Sequence, residues 1–270
     1  MKTIILFLLL LIPASLSAKT IVFVHGYMEG GMTWRNDGVT VALQKNNWID
    51  GGALNINQYS VQKYPNTINP INRNVFYTVE LPWTRPIEQQ SQILSTYLRS
   101  ISVIRQQPLT LVGHSLGGIV ARHYLVNNAM TPIDALITIA SPHLGSPIAK
   151  LAKLATKTPI DDLAKSAGHK ALKNSKQLLS ELKPEKTNSF LYRLNHQPHP
   201  NIFYLSIIRK NGKTVPGKFD YVVPPYSQNM NNILALKGKS ALFLTNKGHG
   251  LTELDGWIIA RFMKKIPARH

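Results

Sequence analysis

The chain has 270 residues, 31 Lys+Arg against 13 Asp+Glu for a formal net charge of +18, and no cysteine. That length suits one large α/β domain with an insertion, and the missing thiols exclude disulfides, thiolate catalysis, cysteine zinc sites and a lipid-modified amino-terminal cysteine. The excess of positive charge either simply solvates the surface or favours polyanions. In an exported chain those are membrane surfaces or lipid head groups, with no nucleic acid expected.

Taken in order, residues 1–18 read as a secretory signal peptide. Lys2 precedes the apolar run Ile4 to Ile12, then come Pro13 and the small-residue stretch Ala14 to Ala18, with cleavage near Ser17 or Ala18. The run is too short to span a bilayer. The domain proper is 19–270, secreted or periplasmic. Thr20 to Val24 is a strand of β-branched and aromatic residues. It enters the loop His25-Gly-Tyr-Met-Glu-Gly-Gly31, whose backbone amides can point at a developing oxyanion.

Trp34 to Gln44 has helical character. Residues 50–74, rich in Asn, Gly, Pro and Gln, read as a long surface excursion. Val75 to Val79 is the next strand. Ile87 to Arg105 is a helix, because Ile93, Leu94, Tyr97, Leu98, Ile101 and Ile104 recur at spacings of three and four.

Next comes Pro108-Leu-Thr-Leu-Val-Gly-His-Ser-Leu-Gly-Gly118. An apolar strand leads into Gly-x-Ser-x-Gly, and Ile119, Val120, Tyr124 and Leu125 then carry a helix to about residue 128. This is the spelling of a nucleophile elbow, with Ser115 at its apex. The turn is so tight that its flanking positions tolerate almost no side chain.

Ala135 to Ala140 is another buried strand, ending in Ser141-Pro-His-Leu-Gly-Ser-Pro147. Strand and helix thus alternate, which predicts a mostly parallel sheet with helices on both faces. From 148 to about 198 the alternation stops and helix follows helix. Ile148, Leu151, Ala152 and Ala155 form an apolar stripe opposite Lys150, Lys153 and Lys157. The sheet resumes at Asn201 to Ile208. Asn211-Gly212 is a turn, Asp220-Tyr-Val-Val-Pro-Pro225 follows, and Ala241 to Leu244 is the last strand. Asn246-Lys-Gly-His-Gly250 is a glycine-bounded loop before a closing helix, Leu254 to Phe262.

A serine hydroxyl needs a base within hydrogen-bonding reach, and the base needs a carboxylate to fix its tautomer. Loops at the carboxyl ends of later strands lie on the same rim as the elbow. After the helical stretch, His249 and Asp220 are the His and Asp placed there. His114, in the elbow, and His25, in the first loop, read as positional, and both His25 and His143 are candidates for the substrate side of the rim. His123, His169, His196 and His199 read as surface or packing residues. Asp161 and Asp162 fit helix capping, and Asp255 lies too close in sequence to His249 to serve it. No cluster has metal-site spacing, so neither metal nor cofactor is expected.

Together these segments resemble the lipase-like branch of the α/β-hydrolase family over nearly all of the mature chain. Val22-Phe-Val-His-Gly26 resembles the lipase oxyanion segment, which implies backbone-amide donors at Tyr27 and Leu116. Ser141-Pro-His-Leu-Gly-Ser146 and Asp220-Tyr-Val-Val-Pro224 resemble lipase segments too, with Tyr221 where the family pattern has glycine. No strand precedes the oxyanion strand, so the sheet is the short version. The resemblance implies a triad Ser115, Asp220, His249 and a helical cap at about 148–198 over the elbow. It implies hydrolysis of carboxylic esters, lipid acyl esters foremost, through an acyl-enzyme. Inositol-deacylases share these motifs, so the resemblance fixes ester hydrolysis better than substrate, and a small-ester esterase or thioesterase with the same machinery stays open. So does a non-catalytic lipid- or polyanion-binding module.

Overall fold

The structure is a computed structural model that describes residues 18–57, 60–65, 70–127, 129–147, 172–210 and 220–267. The expected signal peptide up to residue 17, the part of the expected cap from 148 to 171 with Asp161, Asp162 and His169, and the expected Asn211-Gly212 turn lie outside the described residues.

Among the described residues eight strands form one sheet in the order β3-β2-β4-β1-β5-β6-β7-β8. They are β1 (Thr20–Val24), β2 (Ile49–Ile56), β3 (Val61–Tyr64), β4 (Val75–Val79), β5 (Leu109–His114), β6 (Ile133–Ile139), β7 (Phe203–Arg209) and β8 (Ser240–Thr245). Neighbours run parallel except for the β2–β3 pair. This is the α/β-hydrolase fold. In β1 the two-residue period separates Val22 and Val24 from Ile21 and Phe23, yet all four are buried. Each face packs its own core. Val22, Val24, Leu111 and Leu136 join one cluster with Leu98, Ile119 and Val120, while Ile21, Phe23, Val112 and Ile137 join another with Trp34 and Ile259. A strand covered on both sides must be apolar throughout, which is why β1 reads as a continuous hydrophobic run.

The helices are α1 (Thr33–Asn36), α2 (Val39–Gln44), α3 (Ile87–Arg105), α4 (Leu116–Asn127), α5 (Lys176–Glu181), α6 (Phe190–His196), α7 (Pro225–Gln228) and α8 (Glu253–Met263). The predicted helix over 34–44 is two short ones, broken at Gly38 with φ of 78°. The helix over 87–105 has the expected bounds but not quite the expected face. Ile104 is half exposed, and Arg105 takes the buried position. Its guanidinium donates to Thr20 Oγ1 and to the carbonyls of Pro70 and Arg73, so a charged side chain is accommodated by acceptors that only the folded chain brings together.

The expected surface excursion over 50–74 is corrected by β2 and β3. The glycines that read as loop form an irregularity within β2, where the register to β4 shifts between Asp50 and Ala53. A Cβ on Gly51 would lie 2.4 Å from the Tyr77 ring, and Gly52 has φ of 102°. Asp50 anchors the strand by accepting two hydrogen bonds from Arg35, at 2.8 and 2.6 Å.

Of the segment expected to be all helical, residues 172–198 carry α5 and α6 and no strand. Leu178, Leu179 and Leu182 are buried, and Glu181 accepts the amide of Ile87 at the start of α3. Among the described residues no helix is long and apolar enough to cross a membrane.

Asp255 closes the base of α8. It completes a capping box with Thr252 and accepts two hydrogen bonds from Arg209, at 2.8 and 2.7 Å, with both side chains fully buried. Removing one partner strands a buried charge. Asp255→Ala is expected to lower unfolding stability by about 3–5 kcal/mol, read as a fall in the urea midpoint at unchanged m-value.

Candidate active site

β5 delivers the chain into the elbow and α4 carries it away. Ser115 sits between them at φ of 49°, a left-handed conformation that a non-glycine residue adopts only under constraint from its surroundings. The constraint is visible in the flanking glycines. A Cβ on Gly113 would lie 2.4 Å from the amide nitrogen of Gly118, and one on Gly117 would lie 2.2 Å from the carbonyl oxygen of Val24. Ser115 donates its own amide to Ile139 O at 2.8 Å, which ties the apex to β6.

The loops after β7 and β8 bring Asp220 and His249 to this apex from 105 and 134 residues away. His249 Nε2 is 3.0 Å from Ser115 Oγ, and His249 Nδ1 is 2.8 Å from Asp220 Oδ2. The carboxylate is held on every side. Its Oδ1 accepts the amides of Val222 and Val223 at 2.8 and 2.9 Å, and its Oδ2 also accepts from Gln228 Nε2 at 3.1 Å. An oxygen set filled by donors belongs to an ionised carboxylate. Assigned from these partners, the imidazole carries its proton on Nδ1 and turns the Nε2 lone pair to the serine hydroxyl. All three residues are buried. Tyr221, the departure from the glycine of the lipase pattern, leaves this geometry intact because its side chain is more than half exposed.

A family model described as Putative serine esterase (DUF676) matches residues 87–229, just over half of the chain and including Ser115 and Asp220. The chain belongs to that family. As a DUF676 protein it is a serine esterase-type hydrolase. Among curated proteins none matches it. Its fold is shared by solved structures at low identity. The lin2722 gene product of Listeria innocua is 12% identical with a TM-score of 0.63, covering 94% of this chain and 96% of that one. The mature lipase BlEst2 of Bacillus licheniformis is 19% identical with a TM-score of 0.61, covering 93% and 92%. The esterase EaEST of Exiguobacterium antarcticum is 13% identical with a TM-score of 0.52, covering 92% and 91%.

The remaining candidates of this DUF676 chain divide by what they touch. Among the described residues the amides of Tyr27 and Leu116 donate to no protein acceptor. Tyr27 itself is buried edge-on against Trp83. His25 is buried, its Nε2 accepting the Leu81 amide at 2.9 Å. His143 is fully buried with Nε2 on Thr138 Oγ1 at 3.1 Å, and burial, reinforced by Arg122 and His199, pushes it well below the ordinary histidine range. The contacts of both rings thus lie within the scaffold.

Two residues near the site escaped the sequence reading. Gln228, which steadies Asp220, carries no local signature at all. Glu29, in the loop after β1, accepts the Gly26 amide at 2.7 Å and lies 2.8 Å from the His114 ring. The one cue for Glu29 was a carboxylate inside a glycine-rich loop, which marks no particular partner.

Proposed function

We propose that this protein hydrolyses carboxylic esters, with lipid acyl esters as the substrate class, by forming an acyl-enzyme on Ser115. The observation that carries the reading is the continuous hydrogen-bonded chain from Ser115 Oγ through His249 to Asp220. As Oγ attacks the ester carbon, its proton passes to His249 Nε2 and the carbonyl electron pair moves onto oxygen. Asp220 compensates the charge on the imidazolium. The amides of Tyr27 and Leu116, which donate to no protein acceptor among the described residues, supply the oxyanion donors, each worth about 10²–10³ in rate where such donors have been removed. Collapse expels the alcohol, which takes the proton from Nε2. Water then repeats the cycle on the acyl-enzyme and releases the acid.

The test is turnover of 4-nitrophenyl esters of graded acyl length, combined with an alkyl-phosphonate label mapped by mass spectrometry. The reading requires the label on Ser115 and a preference for longer acyl chains. A label elsewhere removes the catalytic scheme, and a preference for acetate removes the lipid substrate.

The same proposal has residues 1–18 removed on export and gives the helical segment at 148–198 the role of a cap over the acyl groove. Nine lysines lie between Lys150 and Lys186. Basic residues near an anionic lipid surface contribute about 1 kcal/mol each and are screened by salt. Turnover of anionic lipid dispersions is therefore expected to fall steeply with ionic strength, while turnover of a soluble short-chain ester barely changes. Reversing the charge of Lys150, Lys153 and Lys157 should reproduce the salt effect only on the dispersion. An equal response from both substrates, or none from either, reduces the lysine face to a solvated surface.

A further inference from the structure

His114 fills the variable position of the elbow, and both of its ring nitrogens face oxygens positioned to accept. Nδ1 lies 2.8 Å from Glu29 Oε2, and that same oxygen already accepts the Gly26 amide at 2.7 Å. Nε2 lies 2.8 Å from the backbone carbonyl oxygen of His249. A carbonyl oxygen cannot donate, so Nε2 carries a proton, and Glu29, whose carboxyl is held below its usual range, is an ionised carboxylate that can only accept. Both ring nitrogens must therefore carry protons, which makes His114 an imidazolium. The ring is wholly buried, so this charge needs a counter-charge at hand, and Glu29 is that group.

We propose that Glu29 and His114 are a positioning pair for the base, in which the imidazolium of His114, fixed by Glu29, grips the carbonyl of His249 and holds its ring in register with Ser115. The proposal rests on the reading of His249 as the base. Neither Glu29 nor His114 touches the reacting atoms in it. They act through the backbone of the loop that carries the base, and they tie that loop to the elbow and to the oxyanion loop at once.

The arrangement depends on one proton. The groups around His114 are Glu29 and Gly26 from the loop after β1, Trp34 of α1 edge-on at 6.4 Å, and the His249 ring at 5.2 Å. Arg209 of β7, paired with Asp255, opposes a charge on His114. Asp37, next to α1, feels both Glu29 and His114. Burial by itself depresses His114, but Glu29, through charge and hydrogen bond, and the His249 carbonyl outweigh it and hold the ring above the ordinary histidine range. Burial likewise pushes Glu29 up, and His114 with the Gly26 amide more than reverses it, leaving the carboxyl below its usual range.

The share of the pair's stabilisation that comes from Glu29, whose pKa is lowered, is lost only as pH falls below the ordinary carboxyl range. The raised pKa of His114 means that its own share is complete below the ordinary histidine value and is lost as pH climbs through the raised one. Above that point a single N–H serves two acceptors, so either Glu29 or the His249 carbonyl faces a lone pair. The loop then loosens. The rate of the chemical step should fall, while binding of a short ester, which does not reach His114, should not change.

The experiment has two arms. In the first, kcat and KM for a short-chain ester are followed against pH in the wild type, Glu29→Gln and Glu29→Asp. The wild type should show an alkaline fall in kcat at constant KM. In Glu29→Gln, which removes the counter-charge, that fall should move down by about 1–3 pH units, and Glu29→Asp should restore part of it. A folded Glu29→Gln protein whose kcat profile superimposes on the wild type overturns the proposal. The second arm needs no variant to fold: 15N NMR of wild-type protein labelled at histidine should show both nitrogens of His114 protonated at neutral pH. A neutral ring with one protonated nitrogen overturns it. Failure of the underlying assignment is separately visible, as turnover that survives His249→Ala.

Discussion

Ser115→Ala is expected to abolish nearly all ester turnover, by about 10⁶-fold in kcat on the scale of nucleophile removals in triad hydrolases. The substitution deletes one oxygen whose side-chain partner among the described residues is His249. The backbone at φ of 49° is held by Gly113, Gly117 and the Ser115 amide on Ile139, none of which changes. Stability should therefore stay near wild type while activity collapses, and the two are measured together by urea denaturation and initial rates. A residual rate of about 10³–10⁴ over water is compatible with oxyanion stabilisation and binding alone. Near-wild-type turnover in the folded variant removes Ser115 as the nucleophile.

Asp220→Asn should cost about 10⁴-fold in kcat, and the local hydrogen bonds say why. Oδ1 accepts two backbone amides, so the side-chain oxygen of an asparagine must remain there. Its NH2 is then forced to the place of Oδ2, facing His249 Nδ1 and Gln228 Nε2. A donor opposite Nδ1 drives the imidazole proton to Nε2, where it points at the serine hydroxyl instead of accepting from it. The base is present with its tautomer reversed. Asp161→Asn and Asp162→Asn should keep their rates, because the sequence pattern makes helix capping the expected place of both aspartates. Kinetics of the three variants, each checked by circular dichroism, decide the assignment. An Asp220→Asn enzyme with most of its rate would mean that the carboxylate only orders the loop.

Local patterns were legible where the physics is local. The elbow could be read because its backbone conformation permits so few residues, and α3 because a buried face repeats every three or four positions. Ser115, Asp220 and His249 could be nominated from chain order, since each follows a strand whose carboxyl end must reach the same rim.

What only the tertiary structure decided are the relations that run across the sheet. Gly51 and Gly52 spell a loop in sequence, yet β2 uses them for a close approach to Tyr77 and Tyr64. Ile104 fits the apolar stripe better than Arg105, but acceptors at Thr20, Pro70 and Arg73 make the buried position the arginine's. The Glu29–His114 contact joins residues 85 apart, and the His114–His249 contact joins residues 135 apart. The sequence by itself determined the strands β1, β4, β5, β6, β7 and β8, the elbow and the long helices, though not β2 and β3, because sterics and hydrophobic periodicity act within a few residues. Which polar groups face one another was decided by strand order and register, because a hydrogen bond is made or lost over less than an ångström and no local pattern carries that distance.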